Sequence, residues 1–248
     1  MERRSIGTEL HVLLSPAFER RGFMAAFTER TGGVSGDLYS SLNLGLETGD
    51  DPALVARNRE RLRAKLEIPA PVTARQVHGS DVLGVDGKTG HVGDGDALTT
   101  STSGVAMAVM VADCVPLALA SEAQGALAVV HLGWRGVAAG LVQKALSTFS
   151  EPAVVVAAIG PAIGPCHYEV GEDVAEAVNS GVDGLAVADR SGPLPRLDLG
   201  ATIEALLRNL GIVEIDRAEE CTACEPERFF SHRRDGLTGR QALVAMRL

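Results

Sequence analysis

The run VAMAVMVADCVPLALASEAQGALAVVHLGWRG, from Val105 to Gly136, limits what this chain can become. An apolar stretch of this length buries, and burial normally excludes ionisable groups that lack a partner or a task. Asp113, Cys114, His131 and Arg135 nevertheless stand in it. The run folds as two strands around the turn Ser121 to Gly125. If Ala120 faces Ala126, antiparallel partners keep a constant sum of positions, and Cys114 falls beside His131 or Leu132. A thiol next to an imidazole is a nucleophile with its base, or half of a metal site. The bland alternative is a small buried hydrophobe beside a satisfied histidine. The segment HLGWRG argues against it, because glycines admit a ligand close to the backbone and the Arg135 guanidinium is built to grip an anion.

Composition narrows the partners. The 248 residues are 46% hydrophobic, and a mean hydropathy of +0.13 fits a globular protein with a sizeable core. A net charge of −9 and a pI near 5.2 argue against a general affinity for nucleic acid or anionic membrane but leave room for a local basic pocket for one small anion. With aromatics at 4% and one Trp, a base-stacking platform is not expected. Cys114, Cys166, Cys221 and Cys224 are too few for a disulfide framework in this length. They fit free thiols in a reducing compartment. Pro16 interrupts the apolar run of MERRSIGTELHVLLSPAF, so neither a signal peptide nor a membrane span is expected, and the cytoplasm is the expected location.

Along the chain, Met24 to Thr28 reads as a strand, and Thr28 to Gly45 as a Gly- and Ser-rich loop in which Asn43 is placed to contact a ligand. Asp51 caps a helix that Pro52 opens and that ends near Ile68. Val72 to Val77 and Asp81 to Asp86 read as strands, and Gly87 to Gly95 as a turn region. VAAGLVQKALSTF is a helix, PAVVVAAIG a buried strand, and GPAIGPCHYEVG (160–171) a tight loop. EDVAEAVN is a short helix, Ser180 to Arg196 a loop, and Asp198 caps a helix that Gly211 closes. The last stretch, from Glu220, is expected to form a hairpin around Arg234 to Gly239. No repeat or linker divides the chain, so a single domain over 1–248 is expected. Irregular alternation of strands and helices implies an α+β fold with mixed sheets.

Cys221 and Cys224 form a CxxC pair that wants a second pair of ligands. His232 is the nearby candidate in sequence, and a strand rather than a helix is expected to follow, so the pair reads as no site. His78, at a strand end beside Gly79, reads on local grounds as a structural histidine.

Taken together, RQVHG at 75–79, ADCVPL at 112–117, HLGWRG at 131–136, GPAIGPCHYEVG at 160–171 and FFSHRRDGLTGR at 229–240 are specific. Carrying these motifs in this order, nearly end to end, the chain resembles the YfiH/laccase-domain family, first labelled polyphenol oxidase and later purine nucleoside phosphorylase. The resemblance implies an α/β/β/α layering and a metal site of zinc, with copper as the alternative, on His78, Cys114 and His131. Three protein ligands are the pattern of catalytic rather than structural zinc. It also implies phosphorolysis of purine nucleosides (adenosine, inosine, methylthioadenosine) to base and ribose 1-phosphate, with adenosine deamination as an accompanying activity. The partners are then a small nucleoside and phosphate. Phosphorolysis asks for a cationic cradle, for which Arg75, Arg135 and Arg233 are candidates, with Gln76 beside them at the substrate. Deamination asks for a carboxyl proton shuttle: Asp113 is adjacent to a ligand but faces away in a regular strand, so Glu169 and Asp96 stand as alternatives. Leu132 and His232 depart from the family's commoner residues and bear on substrate preference.

Other chemistries compete. The same fold resembles the catalytic domain of cytotoxic necrotizing factor toxins, and some family members are linked to peptidoglycan editing; Cys114 and His131 would then be the dyad of a cysteine hydrolase or amidase. A copper phenol oxidase would need a histidine cluster that six scattered histidines do not build.

Overall fold

The computed structural model describes residues 1–7, 9–151 and 155–248. Strands β1 (Glu2–Ile6), β2 (Leu10–Leu14), β3 (Phe23–Thr28), β8 (Met107–Val111) and β15 (Gln241–Arg247) form one antiparallel sheet in the order β1-β2-β3-β15-β8. A second sheet joins β5 (Val82–Gly84), β7 (Ala97–Thr100), β9 (Val115–Ser121), β10 (Ala126–Leu132), β11 (Val156–Ile159) and β14 (Ile215–Arg217) in the order β14-β11-β9-β10-β7-β5. Its two outer pairings are parallel and its inner ones antiparallel, so the sheet is mixed, as expected. Two small ribbons complete the set, β4 (Thr73–Arg75) with β6 (His91–Asp94), and β12 (Val187–Asp189) with β13 (Arg196–Asp198).

Period-two alternation decides the layers. Leu13, Phe27 and Leu243 of the first sheet meet Ala118, Leu127 and Val129 of the second. Their neighbours Val12, Ala26 and Val244 turn the other way and pack with Leu62 of α2 (Pro52–Leu66). Beyond the second sheet, Leu117, Val130 and Ile159 pack on Val137, Leu141, Val178 and Ile203. Those come from α3 (Trp134–Ala138), α4 (Leu141–Leu146), α5 (Glu172–Gly181) and α6 (Leu199–Asn209). The layering is α/β/β/α. A short α1 (Pro16–Glu19) starts at Ser15, whose hydroxyl accepts from Phe18 N. Asp51 and Asp198 cap α2 and α6 as their sequences require.

Several expectations change. The long apolar run is not one hairpin: β8 lies in the first sheet and β9 and β10 in the second. Asp113, at φ +89°, makes the bend between them. The register differs by one from the expected ladder, with Ser121 opposite Ala126 and Leu132 opposite Val115. The turn is Glu122 to Gly125, closed by Gly125 N–H donating to Glu122 O at 3.0 Å, and Gly125 supplies the positive φ it needs (+60°). Cys114 therefore stands ahead of β9, at the bend rather than in the ladder.

The C-terminal hairpin does not form. Gln241 holds residue 230 as a loop by accepting from Phe230 N and donating to Phe230 O, and α7 (His232–Asp235) follows. β15 instead pairs with β3 and β8. The helix expected after HLGWRG is split into α3 and α4 at Gly140, φ +73°. The region 87–95 contains β6, and the loop from Ser180 contains β12. The strand expected over 72–77 shortens to β4, and the first residues of that expected over 152–160 lie outside the described residues.

Candidate active site

His131 shares its face of β10 with Leu127 and Val129, so it looks into the seam between the sheets. Cys114 reaches the same rim from the Asp113 bend. His78 arrives from the segment after β4 with its backbone at φ +57°, a left-handed conformation uncommon outside glycine. The donor atoms of His78, Cys114 and His131 all lie within 4.8 Å of one another. Cys114 Sγ is 3.9 Å from His78 Nε2, and the two imidazoles meet edge to face with centroids 4.8 Å apart. A Cβ at Gly133 would come within 2.9 Å of His78 Cδ2 and 3.3 Å of Cys114 Sγ, so a glycine makes the room that the three donors occupy.

One carboxylate arranges this set. Asp96 is fully buried and accepts from His131 Nδ1 at 2.8 Å. It also accepts from the backbone N–H groups of Val77 (3.1 Å), His78 (3.0 Å) and Gly79 (2.7 Å). It thus fixes the His131 tautomer and holds the bend that presents His78. Burial alone would raise its pKa, but His131 and these N–H donors keep it below the ordinary carboxylate value. Burial likewise opposes a charge on Cys114, yet the neighbouring His131 and His78 bring the thiol down to about 6. His131, against its own burial, is lifted to about 9 by Cys114 and Asp96. Thiolate and imidazolium thus pair in the metal-free protein. One sulfur and two nitrogens are a donor set suited to zinc, with soft copper the alternative.

The cluster opens on a cavity of about 440 Å³. Its wall includes Arg59, Arg75, Gln76, His91, His232 and Arg240. Arg59 Nε donates to Leu44 O (2.8 Å), and Arg240 Nη1 to Thr238 O and Gly239 O (both 2.9 Å). Among the described residues neither donates to a carboxylate. Burial pulls both guanidinium groups below the usual arginine value, yet the arginine side chain stays charged. Two partly buried cations that, among the described residues, donate to no carboxylate suit an anion.

Of the other expected residues, Arg75 and Gln76 line the cavity, and Asn43, Asp113, Arg135, Glu169 and Arg233 are not among its lining residues. Arg75 pairs with Asp94 on the cavity wall. The Gln76 amide clamps Met110, accepting from its N–H and donating to its C=O, both at 2.7 Å. Asn43 is wholly buried, its amide engaged by Thr48, Asp50 and Arg240 N, so it shapes its loop. Asp113 accepts from Thr222 Oγ1 (2.6 Å) and Arg233 N (2.7 Å) and anchors the bend that carries Cys114. Arg135 lies over the Trp134 ring at 4.3 Å, apart from the residues that line the cavity. Arg233 donates to the carbonyls of His167 and Glu169 and covers Tyr168. Glu169 pairs with Arg196. Sequence reasoning missed Arg59, one of many arginines on α2 with nothing local to mark it. It also passed over Arg240, although that residue closes the quoted FFSHRRDGLTGR motif.

Residues 24–248 match the family model described as multi-copper polyphenol oxidoreductase laccase, and the chain belongs to that family. Among relatives, the purine nucleoside phosphorylase YfiH of Escherichia coli K12 is 41% identical over 226 residues, 90% of this chain and 93% of that protein. A purine nucleoside phosphorylase of Streptomyces coelicolor is 42% identical over 224 residues, 87% of this chain and 92% of that one. The crystal structure of YlmD from Geobacillus stearothermophilus superimposes with a TM-score of 0.88 at 32% identity, covering 99% of this chain and 98% of that one. That of Bacillus licheniformis YfiH gives 0.87 at 30% identity, covering 95% and 96%.

Proposed function

We propose that the chain is a zinc-dependent purine nucleoside phosphorylase acting in the cytoplasm. The observation that carries this reading is the pair Arg59 and Arg240, two partly buried cations that donate to no carboxylate among the described residues, on the cavity that His78, Cys114 and His131 also line. The names of the relatives support it. His78, Cys114 and His131 would hold the ion, which when bound supplies a Lewis acid with one position left for a non-protein ligand. Arg59 and Arg240 grip inorganic phosphate and hold it against the ribose. A phosphate oxygen bonds to the ribose C1′ as the bond from C1′ to the purine nitrogen breaks; the electron pair leaves with the purine, which takes up a proton. His232 Nδ1 is engaged by Gly236 O at 2.7 Å, which leaves its other ring nitrogen for the base. Adenosine, inosine and methylthioadenosine share the bond from C1′ to the purine nitrogen that this scheme breaks. For accompanying adenosine deamination the candidate carboxyl is Glu47 on the cavity wall, since Asp96, Asp113 and Glu169 are engaged elsewhere.

The test is product analysis of zinc-loaded protein with adenosine, with and without phosphate, beside Cys114→Ala. Adenine and ribose 1-phosphate that appear only with phosphate, and vanish in the variant, are the expected result. Inosine formed without phosphate would move the reading to a deaminase.

A second reading rests on a different feature, the line Cys114, His131, Asp96, which has the order of a nucleophile, its base and an orienting acid. A cysteine amidase built on it would turn over amide substrates without metal. Its activity would disappear on alkylation of metal-free protein.

A further inference from the structure

The CxxC pair that lacks partners in the sequence has them in the fold. An isolated bridge joins Ala162 to Cys221, with Thr222 N–H donating to Ala162 O at 3.0 Å. It lays the 160–171 loop along the segment from Cys221. Four donor atoms, from Cys166, His167, Cys221 and Cys224, then lie within 4.8 Å of one another. His167 Nδ1 is 3.3 Å from Cys166 Sγ, 3.4 Å from Cys224 Sγ and 4.0 Å from Cys221 Sγ. Cys166 Sγ and Cys224 Sγ are 3.4 Å apart. A zinc tetrahedron with bonds of about 2.3 Å to sulfur and about 2.0 Å to nitrogen has edges of about 3.5 to 3.8 Å. The observed separations scatter around those edges. A disulfide would need sulfurs about 2.05 Å apart. Gly164 N–H donates to Cys221 Sγ at 3.1 Å, the kind of support a ligating thiolate receives.

We propose that Cys166, His167, Cys221 and Cys224 form a second metal site, a four-ligand structural zinc site that pins the 160–171 loop to the 221–234 segment. Each thiol gives up its proton on binding, so the site weakens in acid. Its position gives it a purpose. Thr222, inside the CxxC turn, donates to the Asp113 carboxylate, and Arg234 donates to Thr222 O and Ala223 O. The clamp therefore stands behind the bend that delivers Cys114, and it does so whatever reaction the cavity performs.

The test is the zinc content and cobalt spectrum of the full chain, purified under reducing conditions, as wild type, Cys114→Ala and Cys224→Ser. Two zinc ions per wild-type chain and one per Cys114→Ala chain are expected. Cobalt-loaded Cys114→Ala should show strong thiolate-to-cobalt charge transfer and tetrahedral absorption, and Cys224→Ser should lose the sulfur contribution of that residue. One ion in both wild type and Cys114→Ala would still support this site while removing the zinc reading of the cavity. No ion in Cys114→Ala, or a disulfide between Cys166 and Cys224 in the reduced preparation, would overturn the proposal. Wild type and Cys114→Ala decide the matter even if Cys224→Ser fails to fold.

Discussion

The two cysteine–histidine clusters differ in donor number and in surroundings. At Cys114, three donors stand at the rim of the seam between the sheets and face a cavity lined by Arg59 and Arg240. At Cys166, four donors face one another across two loops. A three-donor set leaves a metal able to take up another ligand, whereas a four-donor set is complete. The first cluster is held by a buried carboxylate and by strands of the second sheet. The second is itself the proposed tie between loops. Similar side chains thus suit chemistry in one place and cross-linking in the other, and the difference lies in what surrounds them.

Three experiments would sharpen or break this contrast. The largest effect is expected from Arg240→Ala. Removing one preorganised cation from a reaction that develops charge costs about 10²-fold to 10³-fold in turnover. Measured against phosphate concentration, the loss should include a raised phosphate requirement with zinc content unchanged; unchanged phosphate kinetics would detach the arginines from the cavity's task. Next, Asp96→Asn removes the charge that orients His131, and loss of such a partner weakens metal affinity by about 10-fold to 100-fold. Competition with a zinc chelator should show one of two ions becoming easier to remove, while the other stays as in wild type. Both ions loosening together would mean that the clusters are not separate.

The smallest effect is on reactivity. In metal-free protein Cys114 ionises near 6 and His131 near 9. The stabilisation contributed by the thiolate is lost as pH falls through about 6, and that of the imidazolium as pH rises through about 9. Alkylation of metal-free Cys114 should therefore have its midpoint near pH 6 instead of about 8.5, the ordinary thiol value. The rate at neutral pH rises only a few-fold, roughly, because a less basic thiolate is also a weaker nucleophile. A midpoint at the ordinary value would show that His131 does not face the thiol.

How much of this was legible depended on the range of the interaction involved. The caps at Asp51 and Asp198 and the apolar strands β9 and β10 are local, and the sequence displayed them. The β9–β10 register slipped by one because the turn needs Gly125 at positive φ with four residues between the strands. β6 and β7 were hidden by Gly and Thr stretches whose strand character comes from their neighbours. The pairing of β15 with β3 joins the two ends of the chain, and no local pattern announces it. At the site, the family resemblance implies His78 as a ligand, whereas its local setting beside Gly79 reads as structural. The structure brings it to Cys114 and His131 through a backbone bend stabilised by Asp96. The meeting of Cys166 and His167 with the CxxC pair depends on the Ala162–Cys221 bridge, a contact between distant segments.

The bend at Asp113 also separates two kinds of variation. Cys114 and His131 are delivered by the bend and by β10, at the rim of the core. Leu46, Thr48 and His232, which face the same cavity, stand outside the paired strands. Substitutions at those three positions can remodel what enters the cavity without disturbing the strands that pack the seam. The cavity mouth can therefore be reshaped for another small molecule while His78, Cys114 and His131 keep their mutual geometry.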